Sequence, residues 1–212
     1  MQHFISVMRR TIRAADAAAA PDGPGAAFVL SGEVHLGPEK IGAATGAFLG
    51  PGAAMRNGSA DTATVLIFAV TPKRPDADVL GCEEISGLSF PRLLRLDEVS
   101  FPPGAIAYRH THPGPGFRYL RHGALHLQSD SHGFDAAPGT HWFEPAEAPV
   151  RATASDQHRE TRFVRFMALP PAFLGKPTIN ILDPGDAARP RRQTTHRHVD
   201  RIVDQAGHVD AG

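Results

Sequence analysis

Apolar residues in this chain come in short runs, not in helical stripes. Residues 26–30 read Ala-Ala-Phe-Val-Leu, 64–70 read Thr-Val-Leu-Ile-Phe-Ala-Val, and 162–169 read Arg-Phe-Val-Arg-Phe-Met-Ala-Leu. Short runs rich in β-branched and aromatic side chains, bounded by turn formers, predict strands. Between them fall 21 Gly and 19 Pro, and breakers at that density leave few stretches able to carry a long helix. Many short strands with frequent turns predict an all-β sandwich or barrel.

The pattern occurs twice. Phe28-Val29-Leu30-Ser31-Gly32-Glu33-Val34-His35-Leu36 resembles Tyr119-Leu120-Arg121-His122-Gly123-Ala124-Leu125-His126-Leu127, 91 positions on. Gly23-Pro24-Gly25 lies over Gly114-Pro115-Gly116 at the same offset. Gly46 then matches Gly139, Pro51 matches Pro145, and the run 64–72 matches 162–170, now 98 positions on. The offset grows only where turn residues lie, as loop insertions produce. A period this long exceeds the roughly 20–50 residues of a solenoid repeat, so whole domains are duplicated. The expected organisation is a barrel over 1–75, a polar linker broken by Pro and Gly over 76–88, a second barrel over 89–172, and a mostly irregular tail over 173–212. Within that tail Ile179-Asn180-Ile181-Leu182 is an apolar knot suited to dock on a barrel.

Charge narrows the partners. Lys+Arg is 22 and Asp+Glu is 22, a formal net charge of zero, which argues against nucleic acid and gives no attraction to an anionic membrane. No stretch approaches the ~18 apolar residues of a membrane span, and the N-terminal apolar run is shorter than the roughly 7–15 residues of a secretion-signal core. A soluble, cytoplasmic protein is expected. The one cysteine, Cys82, cannot close an internal disulfide and reads as a small buried side chain. No phosphate-cradling loop, nucleophile elbow or Cys-x-x-Cys pair is present, so no nucleotide or organic cofactor is indicated.

In the second copy Gly104, His110, His112 and Gly123 are followed by Gly139 and Pro145, and with these spacings the copy resembles the cupin family. That family's first motif runs Gly, His-x-His, Glu, Gly; here Gly104, His110, His112 and Gly123 stand at the matching spacings and Gly116 occupies the Glu position. Its second motif runs Gly, Pro, His; here Gly139 and Pro145 match and Val150 stands at the His. The resemblance implies an all-β chain of two tandem cupin-type jelly-roll barrels. It also implies a divalent transition metal (Fe, Mn, Ni or Zn), of whose usual three His and one Glu only His110 and His112 remain. In the first copy the two His positions fall on Ala19 and Pro21, and Met55 lies about where the third belongs, so that copy reads as structural.

Residues two apart in a strand share a face, which puts His110, His112 and, by parity, Tyr108 on one wall. Two imidazoles underligate a divalent ion; His126, His141, Glu144 and His158 are the candidates to complete the set. Arg118 shares the parity of the vacant Glu position and reads either as a fork for a ligand carboxylate or phosphate, or as a surface Arg or one paired with Glu144 or Glu147. Trp142 reads as core or as ligand-pocket wall. His196-Arg197-His198 repeats the His-x-His pattern in a charged segment with no strand signal. Three functions follow: a metal-dependent enzyme of dioxygenase or isomerase type on His110 and His112, a metal-free small-molecule binder lined by Tyr108, His110, His112, Arg118 and Trp142, or an interaction protein in which both barrels only present surface. A homodimer is expected as the commonest oligomer.

Overall fold

The structure is a computed structural model and describes residues 2–76, 78–204 and 206–209. It is built almost wholly of antiparallel strands. The first nine are β1 His3–Ile12, β2 Ala17–Ala19, β3 Gly25–Ser31, β4 Glu33–Leu36, β5 Glu39–Gly42, β6 Gly46–Leu49, β7 Ala54–Arg56, β8 Ala63–Thr71 and β9 Val79–Ile85. The second set is β10 Arg92–Phe101, β11 Ile106–Thr111, β12 Gly116–His122, β13 Leu125–Ser129, β14 Gly133–Ala136, β15 His141–Glu144, β16 Val150–Ala154 and β17 Thr161–Leu169. After a 3-10 turn at Pro171–Phe173 come β18 Asn180–Ile181, the short helix α1 Pro184–Ala187 and β19 Thr194–Val203. No helix among the described residues is long and apolar enough to cross a membrane.

Strand order shows the duplication directly. One half has sheets β6-β3-β8-β1-β9 and β2-β7-β4-β5; the other has β15-β12-β17-β10-β19 and β14-β13-β16-β11-β18. Each of the first eight strands has a counterpart nine strands later, and β19 takes the place that β9 has. Two facing antiparallel sheets with these crossovers make a jelly roll. The turn after β3 and the turn after β12 carry Gly32 and Gly123, with φ of +75° and +76°. An added Cβ would lie 2.8 Å from Ala63 Cα at the first and 2.6 Å from the Glu160 carbonyl oxygen at the second. Both hairpins therefore require glycine for the same two reasons.

The chain forms two compact units, Met1–Leu96 with His198–Gly212, and Asp97–Arg197. Three boundaries differ from the sequence expectation. The segment expected as linker contains β9, antiparallel to β1, with Cys82 opposite Ser6. An unpaired β1 would be a hazardous edge, and the Val-Leu-Gly-Cys-Glu-Glu-Ile stretch covers it. The boundary between the units falls at Leu96, inside β10, not before residue 89. The tail, irregular over most of its length, ends in a ten-residue strand, and its residues from His198 on belong with the first unit.

Each unit has its own apolar cluster. In the first, Met8, Ile12, Ala27, Val34, Ile41, Leu49, Met55, Val65 and Ile67 are buried together. In the second, Phe101, Leu120, Leu125, Leu127, Trp142 and Phe163 are. Each large apolar side chain so buried contributes roughly 1.5–3 kcal/mol.

Candidate functional site

The two interiors diverge along one row of residues. On β12 Arg118 lies opposite Trp142 of β15 and Arg165 of β17. The equivalent row in the first unit is Ala27 opposite Ala47 and Ile67, all within its apolar cluster. Arg118 is 1% exposed and Arg165 9%, so two guanidiniums occupy what is dry core in the sister barrel. This register also revises the sequence alignment of the copies. Gly46 pairs with Phe28 as His141 pairs with Tyr119, so Gly46 corresponds to His141 and not to Gly139.

Buried charge needs partners, and here the partners are laid out along the sheet. Glu144 Oε2 lies 2.7 Å from Arg118 Nη2, an approach too oblique to make an aligned hydrogen bond. Trp142 Nε1 donates to Glu144 Oε1 at 2.8 Å, and Arg118 Nη1 donates to the Gly116 carbonyl at 2.6 Å. Arg165 Nη2 donates to Asp97 Oδ2 at 2.7 Å, and Arg197 Nε stands 3.6 Å from Asp97 Oδ1. Burial pulls the pKa of the Arg118 guanidinium down to about 10, with Glu144 opposing the shift; it remains charged at neutral pH.

His110 and His112 join this cluster, 5% and 4% exposed, with ring centres 4.9 Å apart and planes edge-on. His110 Nδ1 lies 2.6 Å from the Tyr108 carbonyl and His112 Nδ1 3.0 Å from the Thr178 carbonyl. A carbonyl only accepts, so each Nδ1 carries the proton and each Nε2 presents a lone pair. His112 Nε2 accepts from Arg165 Nη1 at 3.4 Å. Among the described residues no donor meets His110 Nε2. Burial lowers the His110 pKa, with Glu144 opposing and Arg165 and Arg118 adding to the drop. Burial, then Arg165 and Arg118, hold His112 well below 6.5. Both rings are neutral at physiological pH.

Tyr108 is not on this wall. The β11–β16 ladder shifts register between Ala107 and His110, and a bulge of this kind reverses the faces beyond it. Ala107 points into the apolar cluster, and the Tyr108 ring on the opposite face lies 6.0 Å from the Arg151 guanidinium and 5.3 Å from that of Arg189. Tyr108 contributes its carbonyl to the site and not its ring. The same bulge moves the first-copy counterpart of His110: β2 pairs with β7 without a shift and Ala19 is exposed, while Ala20 is buried in the core. Trp142 is 8% exposed and packs edge-on to Phe163 at 5.5 Å; it is a core residue whose indole N–H positions Glu144.

The candidates to complete a metal set do not converge. His126 is exposed and bonds Asp135, His158 is exposed, and His141, opposite Tyr119, lies on the other face of β15 from Trp142. Glu144 reaches the site, but Arg118 and Trp142 take its oxygens. Gly116, at the vacant Glu position, has no room for a side chain, because an added Cβ would collide with the Phe166 carbonyl oxygen. Among the described residues no group of three or more His, Cys, Asp or Glu side chains is arranged to hold a metal ion. Two imidazole nitrogens beside two guanidiniums are a poor donor set for a dication, so the residues present do not by themselves fit one.

The tail closes one side. β18 pairs with β11, with His110 opposite Ile181 and Thr111 opposite Asn180, and Leu182 N–H donates to the Arg109 carbonyl at 3.0 Å. The apolar knot docks on the strand that bears His110 and leads into His112. The second His-x-His pattern lies in β19, where His198 Nδ1 accepts from Gly46 N–H at 3.2 Å and its ring meets Phe28 edge-on at 5.2 Å; His196 is exposed. Cys82 is buried, and burial raises its thiol pKa, which suits packing and not reactivity.

Sequence reasoning missed Arg165 and Asp97. The signal was available for Arg165: at the 98-residue offset it stands over Ile67, as Arg118 stands over Ala27. A charge where the sister copy is apolar marks the positions that departed from pure packing.

No family model and no curated protein matches the chain. Solved structures do match. A cupin 2 conserved barrel domain protein from Leptotrichia buccalis is 13% identical over 77% of this chain and 88% of its own, with a TM-score of 0.50. An 11S globulin from Wrightia tinctoria, reported with an auxin binding site, is 8% identical over 78% of this chain and 75% of its own, with a TM-score of 0.59. A salicylate 1,2-dioxygenase from Pseudaminobacter salicylatoxidans is 12% identical over 77% and 70%, with a TM-score of 0.53. The shared feature is the fold, and it is that of a cupin with two tandem jelly-roll barrels.

Proposed function

We propose that the second barrel of this two-barrel cupin fold binds a small organic molecule on His110, His112, Arg118 and Arg165. Glu144 and Asp97 fix the two guanidiniums. The observation that carries this reading is the charged row itself. At the same register the first barrel has Ala27, Ala47 and Ile67 and folds into the same topology, so the fold does not require the charges. Buried ion pairs are weak contributors to stability compared with apolar residues of similar volume, and perturbed titratable groups gathered in one interior mark binding sites.

A second reading is a metal-dependent enzyme of dioxygenase or isomerase type. Two observations favour it. Each imidazole donates Nδ1–H to a backbone carbonyl, the arrangement that orients histidines toward metals, and a dioxygenase shares the fold. The missing third ligand and the guanidinium against His112 Nε2 weigh against it.

One experiment separates the two. Purified, untagged protein and a His110→Ala/His112→Ala variant are assayed for bound metal, then stripped with chelator and screened for ligand-induced thermal stabilisation. The first reading expects stabilising organic ligands without metal, their effect lost in the variant. About one transition metal per chain in the wild type only, with every ligand shift dependent on it, would replace the first reading with the second.

A further inference from the structure

Two side chains of the second barrel have open and opposite hydrogen-bonding capacity. Arg165 Nε is buried with no acceptor, while Nη2 is taken by Asp97 and Nη1 by His112. His110 Nε2 presents a lone pair that no donor of the described residues meets, its Nδ1–H being committed to the Tyr108 carbonyl. A buried guanidinium N–H without an acceptor is unfavourable until matched, and the imidazole lone pair near it is open to a donor. The two sit close together: His110 is 4.9 Å, ring centre to ring centre, from His112, whose Nε2 is 3.4 Å from Arg165.

A molecule that satisfies both must bring a charged acceptor for the guanidinium and a donor for the imidazole. A carboxylate supplies the first, and the fork geometry of Arg suits it. A hydroxyl supplies the second. An ammonium would also donate, but Glu144 and Asp97 are already committed to Arg118 and Arg165, and a further cation beside two guanidiniums is disfavoured. We infer that the ligand is a small hydroxy-carboxylate, its carboxylate on Arg165 and its hydroxyl donating to His110 Nε2, and that this guanidinium serves as the cation a metal would otherwise provide. The inference rests on the second-barrel site proposed above and adds the ligand's chemical class.

The test uses chelator-stripped, full-length protein in calorimetric titrations. The probes are lactate, mandelate and salicylate, each matched with its partner lacking the hydroxyl: propionate, phenylacetate and benzoate. At least one hydroxy acid is expected to bind tenfold or more tightly than its partner. His110→Leu should bring that acid down to the partner's affinity and leave the partner unchanged. Arg165→Met should abolish binding of both, and Arg165→Lys should keep part of it, with circular dichroism confirming that each variant folds. Equal binding within every pair, or binding indifferent to His110→Leu, overturns the hydroxy-carboxylate assignment. In that case neutral ligands that still depend on Arg118 and His112 would leave the site itself standing. Hydroxy acids whose binding survives all these variants would sink the site and the assignment together.

Discussion

Arg118 and Glu144 stand where the first barrel has Ala27 and Leu49, since Glu144 faces Gly116 as Leu49 faces Gly25. The molecule thus contains its own apolar control for a buried ion pair. Removing one partner strands the other charge in the interior, so Arg118→Met should cost about 3–5 kcal/mol. Replacing both, as Arg118→Met/Glu144→Leu, should recover most of that loss, because apolar residues of similar volume serve as well. Urea unfolding of the two variants checks this; a double variant as unstable as the single one would show that the pair itself holds the barrel. The histidines add a pH dependence. Both are neutral when folded and titrate near 6.5 when unfolded, so below that value the unfolded chain binds protons that the native one refuses. Stability should fall as pH drops through and below 6.5 and be unaffected by these groups above it. A His110→Gln/His112→Gln variant should show a flatter decline in urea midpoint between pH 7.5 and 5.5.

At the scale of the element, strand existence was legible because apolar runs between Gly and Pro have few other uses, and the duplication was legible because both copies need the same turns at Gly32 and Gly123. What the pattern hid was local. The β11 bulge places Tyr108 outside and His110 inside, and alternation by two cannot register an extra residue. The strand β9 escaped because its Glu83 and Glu84 are exposed and read as linker, although the fold uses it to pair β1. Strand β18 is two residues long, below what periodicity can detect, yet it pairs with His110 and Thr111. It should control access. Leu182→Pro removes the N–H that bonds the Arg109 carbonyl. Amide hydrogen exchange across 178–183 is expected to accelerate about tenfold or more while the strands β12 and β17 keep their protection. Ligand dissociation should quicken with it. Unchanged exchange in that segment would mean the strap is held elsewhere.

For the whole molecule, duplication separates what the jelly roll needs from what the site needs. The first unit reaches the same strand order with Ala27, Leu49 and Ile67 in place of charge. Its one buried amide in the corresponding loop, Asn57, is consumed internally, donating to the Ile12 and Asp61 carbonyls at 2.8 and 2.7 Å. Among the described residues of that unit no group of three or more His, Cys, Asp or Glu is arranged to hold an ion, and in the second unit Glu144 and Asp97 pair with Arg118 and Arg165. A structural metal holds a fold by roughly 10–16 kcal/mol where the fold depends on it, so its removal is conspicuous. Here dialysis against a strong chelator should leave the thermal midpoint within about 2 °C of its starting value, a shift corresponding to about 1 kcal/mol or less in a chain of this size. The His110→Ala/His112→Ala variant serves as reference. A large drop confined to the wild type would show that the His pair carries an ion the fold relies on, and the balance of charge described for the second barrel would have to be redrawn around it.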